Sequence, residues 1–156
     1  ISDEIVVMKA GVMQQKDAPQ EVYNNPANLF VAQFLGTPPI NVFNGHVEGK
    51  KVFVGKDCIF EAKKDLGKKN VYVAIRPEGF VLAGGKDKNV LTANAEMIQV
   101  LGRDISVVAK NAECTKPTFK AIISADDVVK TGKVSFKIKE NKMFLFDVDS
   151  EERIRF

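Results

Sequence analysis

The sequence predicts a mainly β protein: a small β-barrel or sandwich that follows a short leader (residues 1–37) with two helices. From about residue 40 onward, apolar and polar residues alternate in short runs, as in residues 71–75 and 134–138. Gly, Asn, Asp or Pro bounds each run, so turn signals separate the predicted strands at the short spacing of small all-β domains.

The leader has a different pattern, which predicts a hairpin and two helices. Residues 5–8 form an apolar run of strand type, and Gly11 allows the positive φ of a hairpin turn. Pro19 suits the first turn of a helix, where its missing N–H would be unpaired anyway. A second helix over residues 28–35 is apolar around most of its circumference and should be buried, and Gly36 ends it.

The composition is that of a globular protein and excludes several classes. Hydrophobic residues make up 45% and charged residues 28% of the sequence, as in ordinary globular proteins. A length of 156 residues is enough for one domain or for one domain and a fragment of another. The net charge is only +3 and the lysines are spread along the chain, so charge gives no reason to propose nucleic-acid binding. The longest apolar stretches fall far short of the ~20 residues that span a bilayer.

Residue types needed for a metal site or a nucleophilic triad are scarce. Cys58 and Cys114 are the only cysteines and lie far apart, and His46 is the only histidine. A zinc site normally needs four such ligands, so we expect no metal. We expect both cysteines to be reduced, as in a cytosolic protein, and His46 to be an ordinary surface or edge residue.

No phosphate-binding loop is present. Such a loop requires GxxxxGK followed by Ser or Thr, because the hydroxyl group holds magnesium. None of the Gly-Lys pairs is followed by Ser or Thr; those at residues 49–50, 85–86 and 132–133, for example, are followed by Lys51, Asp87 and Val134. The sequence therefore predicts a chain that is not itself an enzyme and has no cofactor. It opens on Ile1 rather than Met, and we expect it to be a segment of a longer polypeptide.

The leader resembles the end of the nucleotide domain in ABC importer ATPases. Residues 3–15 (DEIVVMKAGVMQQ) are similar to the stretch after the switch histidine, and residues 18–36 (APQEVYNNPANLFVAQFLG) to the closing pair of helices. Residues 37–41 (TPPIN) resemble the domain junction, and the branch is the sugar-importer type for maltose and glycerol phosphate. The structural or interface candidates at this boundary are Gly36, Pro38, Pro39 and Asn41.

The remainder resembles the transport-associated OB domain of the same subunits. Residues 76–78 match its RPE element, residues 100–102 match the turn before the next strand pair, and residues 145–147 match its LFD. Residues 151–154 resemble the C-terminal tail. The candidates added by this resemblance are Arg76, Pro77, Glu78, Gly102, Phe146 and Asp147.

Arg76 has the most specific expectation among these candidates. Pro77 biases Arg76 toward an extended backbone just after a predicted strand. We expect the guanidinium to turn toward a carboxylate or carbonyl near the end of the barrel. Its role would then be structural rather than catalytic.

The resemblance implies two parts: residues 1–37 as the end of an ABC ATPase domain and residues 38–156 as an OB-like regulatory domain. It implies a parent at the cytoplasmic face of the membrane that hydrolyses ATP with Mg²⁺ and drives solute uptake through permease subunits. None of the residues for that chemistry can be assigned within this chain. The part present is implied to form a homodimer and to receive a cytosolic regulatory protein.

Two alternatives stay open. Residues 41–45 (NVFNG) resemble the opening motif of molybdate-type oxyanion-binding modules, although a set of anion donors is missing. A single-stranded nucleic-acid-binding OB domain would need exposed aromatic residues, whereas Phe53, Phe136, Phe144 and Phe146 lie in apolar strand patterns that predict core packing for most of them. The apolar leader lacks a body large enough to bury it. We expect it either to fold back on its own barrel or to pair with a second chain, and the dimerisation that the resemblance implies favours pairing.

Overall fold

A computed structural model describes residues 3–156; Ile1, on which the expectation of a longer polypeptide rests, lies outside these residues. The leader elements are β1 (Ile5–Lys9), β2 (Val12–Asp17), α1 (Pro19–Asn24) and α2 (Leu29–Phe34). Strands β1 and β2 pair as an antiparallel hairpin, with Gly11 at φ +80° in the turn. Asn28 caps α2 by accepting a hydrogen bond of 2.9 Å from the Val31 N–H. In the part of the chain described, no helix is long and apolar enough to cross a bilayer.

The larger sheet has six antiparallel strands. Their bounds are β3 (Asn41–Glu48), β4 (Lys51–Val54), β5 (Asp57–Glu61), β6 (Lys68–Ile75), β12 (Met143–Asp147) and β13 (Arg153–Ile154). The strand order is β13-β12-β6-β3-β4-β5, so the end of the chain lies beside its middle.

The second sheet has five antiparallel strands. Their bounds are β7 (Phe80–Leu82), β8 (Leu91–Leu101), β9 (Asp104–Lys110), β10 (Phe119–Ser124) and β11 (Gly132–Ile138). The order is β10-β9-β8-β11-β7, and the edge strands β7 and β10 contact each other, which nearly closes the sheet. The rings of Phe80 and Phe119 meet between these edges at a centroid distance of 5.4 Å.

The predicted mainly β, OB-like fold with a hairpin and two helices before it is confirmed. The two sheets share one core, because Val73 and Leu145 of the larger sheet pack in the same cluster as Val107 and Phe136 of the smaller one. The aromatic residues expected in the core are buried there or beneath α2. Phe53 differs, because it is only half-buried and stacks on His46 at 4.8 Å.

The leader packs against its own barrel, so the expectation that it lacks a burying body is wrong for α2. Leu29 and Ala32 join the barrel residues Ala74, Phe144 and Phe146 in one buried cluster. The predicted burial of α2 holds for Leu29, Val31 and Ala32 but not for Phe34. A second buried cluster holds the hairpin to the helices through Val7, Val22 and Val31.

The opposite side of the leader remains apolar and open to solvent. Phe34 at the end of α2 is 53% exposed, because the short helix presents only one face to the barrel. Val6, Met8, Val12 and Met13 of the hairpin are exposed as well. Val6 and Met8 are two residues apart on one strand and so share one face of the hairpin. One face of α2 is thus buried within the chain, whereas this face of the hairpin is exposed to solvent.

Candidate functional site at the leader–barrel junction

Arg76 is the centre of the junction between leader and barrel. It follows β6 with extended backbone (φ −63°, ψ 147°) and is 1% exposed. Its Nη1 donates to the carbonyl oxygens of Ala32 and Leu35, each at 2.9 Å, and its Nη2 donates to that of Tyr23 at 2.8 Å. These carbonyls end α2 and α1, where they lack intrahelical partners and where a positive charge is favoured. One side chain of the barrel domain therefore donates hydrogen bonds to the carbonyl ends of both leader helices.

Aromatic rings flank the same guanidinium. Its central carbon lies 4.0 Å from the centroid of the Tyr23 ring and 5.7 Å from that of Phe144, within the range of cation–π attraction. Burial lowers the pKa of Arg76, and the nearby Tyr23 and Glu78 oppose this effect. A Cβ added at Gly36 would lie 3.5 Å from Arg76 Nη1, and Gly36 has φ +118°, so a glycine suits this close turn.

Glu78 extends the junction one residue beyond Pro77, the first residue of the 3₁₀ turn Pro77–Gly79. The Tyr23 hydroxyl donates to the Glu78 carboxylate, and Lys142 Nζ lies 3.7 Å from the same carboxylate. Burial alone would raise the pKa of Glu78, but the Tyr23 hydrogen bond, its own backbone N–H and Lys142 lower it overall. Burial and the bond to Glu78 raise the pKa of Tyr23 to about 12. Residues 76–78 thus contact Tyr23 through two side chains: Arg76 binds its backbone carbonyl and lies over its ring, and Glu78 accepts a hydrogen bond from its hydroxyl.

Asn41 and the two prolines lie at the start of the barrel domain. Asn41 is buried, and its Nδ2 donates to the carbonyls of Ile75 at 3.2 Å and Lys120 at 2.8 Å. Its Oδ1 accepts from the Lys120 N–H at 3.1 Å, so Asn41 joins β10 of one sheet to β6 of the other. Pro38 and Pro39 form the link between Gly36 and this residue, with a cis peptide bond before Pro38.

The remaining candidates divide between the junction and the barrel surface. Phe146 is completely buried in the cluster beneath α2. The Asp147 carboxylate accepts from the N–H groups of Ser150 at 3.0 Å and Asp149 at 2.8 Å, which lowers its pKa and shapes the turn before β13. Gly102, at φ +64° in the β8–β9 turn, lies outside the junction.

Sequence reasoning missed the contribution of the chain's last strand. Arg153 Nη1 lies 3.4 Å from the Asn25 side-chain oxygen, and its guanidinium lies 4.9 Å from the Phe144 ring centroid. Its backbone N–H donates to the Ala27 carbonyl at 3.2 Å. Asn25 and Arg153 are 128 residues apart in sequence, so no local pattern connects them. The polar residues between the two predicted helices were the one available signal.

The comparisons with known proteins agree with this architecture, although no protein-family model matches the chain. It is 30% identical over 99% of its length to the sn-glycerol-3-phosphate import ATP-binding protein UgpC of Jannaschia sp.. It is 34% identical over 99% to the lactose transport ATP-binding protein LacK of Rhizobium radiobacter. The Fe(3+) ions import ATP-binding protein FbpC of Fusobacterium nucleatum is 32% identical over 99% of the chain.

These alignments cover 99% of the chain and therefore include nearly all of the helices and strands described above. The chain belongs to the family of ABC importer ATP-binding subunits. It spans less than half the length of these curated relatives: 43% of UgpC, 45% of LacK and 42% of FbpC. The junction around Arg76 is thus a feature of one part of an importer ATP-binding subunit.

Removing the Arg76 side chain should destabilise the chain. Arg76→Ala leaves three carbonyls of the junction, one buried and two part-buried, without their donor, at a cost of about 2 kcal/mol. For a chain of this size, the melting temperature should then fall by about 4–8 °C. Arg76→Lys should recover little, because an ammonium group lacks the planar fork. Thermal denaturation followed by circular dichroism measures the change, with Arg103→Ala in the exposed β8–β9 turn as control. A melting temperature equal to that of the unchanged protein would contradict the role assigned to Arg76.

Neutralising Glu78 should change how stability depends on pH. The folded carboxyl has a pKa below its ordinary value of 4.5, so ionised Glu78 adds stability above pH 4.5. That contribution is lost as the pH falls through the folded pKa. Glu78→Gln should therefore lower the free energy of unfolding at pH 7 by up to about 1 kcal/mol, a small value because the Glu78 side chain is 40% exposed.

Urea unfolding at pH 7 and at pH 3 tests this prediction. The difference between Glu78→Gln and the unchanged protein should shrink at the lower pH. Glu48→Gln, at an exposed carboxylate on β3, is the matched control. A difference that stays constant between the two pH values would show that the Glu78 charge adds nothing.

Proposed function

We propose that the chain is the regulatory and dimerisation part of the ATP-binding subunit of an ABC importer for a carbohydrate or a related solute. Residues 1–37 would be the end of the ATPase domain, and residues 38–156 the OB-like regulatory domain. The complete subunit would hydrolyse ATP with Mg²⁺ at the cytoplasmic face of the membrane and so drive solute uptake. The chain itself would contribute neither ATP binding nor catalysis.

The observation that carries the proposal is the Arg76 junction in a chain homologous to importer ATP-binding subunits. Three carbonyls of the leader bind one buried guanidinium of the barrel domain. Because packed interfaces move as units rather than deform gradually, a displacement of the leader would be passed to the barrel. This coupling is what a regulatory domain attached to an ATPase domain needs.

The partners follow from the same proposal. A second copy of the chain would complete a dimer, and permease subunits would be contacted through the ATPase domain. A cytosolic regulatory protein would bind the barrel domain. The three relatives are named for glycerol 3-phosphate, lactose and Fe(3+), so the names differ in solute. We therefore assign the choice of solute to the permease and its binding protein rather than to this chain.

The 156-residue chain should not bind ATP, because none of its Gly-Lys pairs lies in a phosphate-binding loop. Fluorescence anisotropy with a labelled ATP analogue in the presence of Mg²⁺ should give no saturation up to about 10 μM protein, well into the range of specific nucleotide binding. The same titration with unlabelled ATP in excess serves as the control for non-specific signal. Saturable binding within that range would refute the assignment.

The chain should form a dimer in solution, since a twofold pair is the simplest closed arrangement for an exposed apolar face. Light scattering at micromolar concentration should report about twice the monomer mass of 17.2 kDa. Met8→Lys combined with Met13→Lys should weaken association, because these paired residues lie on the open hairpin face. Val128→Lys, at a site that is 81% exposed on the barrel, is the control. A monomer at all concentrations would overturn the dimer.

A further inference from the structure

A cleft of about 850 Å³ lies between the leader and the end of the barrel domain. Its lining includes Asn24 and Asn25 from the first helix and its cap, and Arg153 and Arg155 from the end of the chain; Arg153 Nη1 donates to the Asn25 side-chain oxygen at 3.4 Å. Its volume is in the range that holds small-molecule ligands. The cleft is separate from the Arg76 side chain, which lies buried within the junction.

Two arginines of this cleft lack a neutralising partner. The ion pairs among residues 3–156 involve Lys110, Lys137 and Lys142, and neither Arg153 nor Arg155 takes part in one. The buried Nε of Arg153 has no hydrogen-bond acceptor among the described residues. Burial and the neighbouring charge of Arg155 lower the pKa of Arg153 to about 10, while Glu21 opposes them. The site therefore concentrates positive charge that is only partly compensated.

The other polar groups of the cleft suit a ligand with hydroxyl groups. Asn24, Asn25 and Asn141 line the same cleft, and side-chain amides both donate and accept hydrogen bonds, although that of Asn25 is already bonded to Glu21 and Arg153. Glu140 is the carboxylate among the lining residues, and Lys142 adds a further cation, already paired with Glu78. A planar guanidinium group can donate two parallel hydrogen bonds to two phosphate oxygens, whereas an ammonium group acts as a single point charge.

We propose that this cleft binds a small phosphorylated molecule with hydroxyl groups, such as a sugar phosphate, with its phosphate on Arg153 and Arg155. The ligand would contact the leader through Asn24 and Asn25 and the barrel domain through the two arginines. Binding would therefore favour the docked arrangement of the leader and stabilise the chain. The site does not depend on the proposed importer function, and it differs from the oxyanion motif at residues 41–45.

Isothermal titration calorimetry of the full 156-residue chain tests the site. Glucose 6-phosphate should bind and should raise the melting temperature, whereas glucose at the same concentration should do neither. Inorganic phosphate, which lacks the hydroxyl groups, should bind more weakly. All titrations are done at one ionic strength, since screening weakens charge interactions.

Arg155→Gln is the decisive variant, because Arg155 is exposed and its replacement should leave the fold intact. It should raise the Kd for glucose 6-phosphate about tenfold through loss of one charge-assisted contact. Arg153→Gln should do the same, and Arg103→Gln, at an exposed arginine of the β8–β9 turn, should not. Absence of glucose 6-phosphate binding in the millimolar range, or equal binding by Arg155→Gln and the unchanged chain, would overturn the proposal. Either result would leave the dimer and the importer assignment untouched.

Discussion

The structure depends on one buried guanidinium, that of Arg76, whose hydrogen-bond acceptors lie in the leader. A guanidinium as deeply buried as that of Arg76 is costly unless its donors are satisfied. The acceptors come from the ends of α1 and α2, which are too short to be stable alone. The helices supply acceptors for both terminal nitrogens of Arg76, while its Nε has no acceptor among the described residues, and the arginine in turn binds the free carbonyls at the helix ends. This mutual dependence is why the leader and barrel form one body.

The leader is held at two places on the barrel domain rather than one. Arg76 binds it from the end of β6, and Arg153 with the backbone of residues 151–153 binds it from β13. The Phe144 ring lies within cation–π range of both guanidinium groups. Two separated attachments fix orientation as well as position, because a single contact would leave the leader free to pivot. A domain rigidly joined to this leader would thus change the orientation of the barrel domain whenever it rotated.

Local elements of the fold could be predicted because their causes are local. Gly11 determines a turn, Pro19 begins a helix, and alternation marks strands such as β6 and β11. The division into two sheets could not, since it depends on pairings between distant strands. The burial expected for Phe34 failed for a related reason: helical periodicity shows which residues share a face but not how much of the circumference a neighbour covers.

The candidate site divides in the same way. Similarity to a known family named Gly36, Arg76 and Glu78 as separate candidates, and the conformational preference of a residue before proline indicated the extended backbone of Arg76. Neither source identified Tyr23 as the shared partner, because its ring and hydroxyl become useful only when α1 lies on the barrel. Asn41 was named as a boundary residue, yet its contacts join the two sheets.

The pairing of the leader with β13 has a consequence for the order of folding. The hydrogen bond from Leu29 N–H to the Glu151 carbonyl closes a loop that contains most of the chain. Contacts of such sequence separation form late, because the entropy of closing the loop is lost before the contact contributes. During synthesis the leader emerges before residues 151–153, so its docking is complete only after they have been made. Over that interval the apolar face of α2 is exposed to solvent or to other molecules.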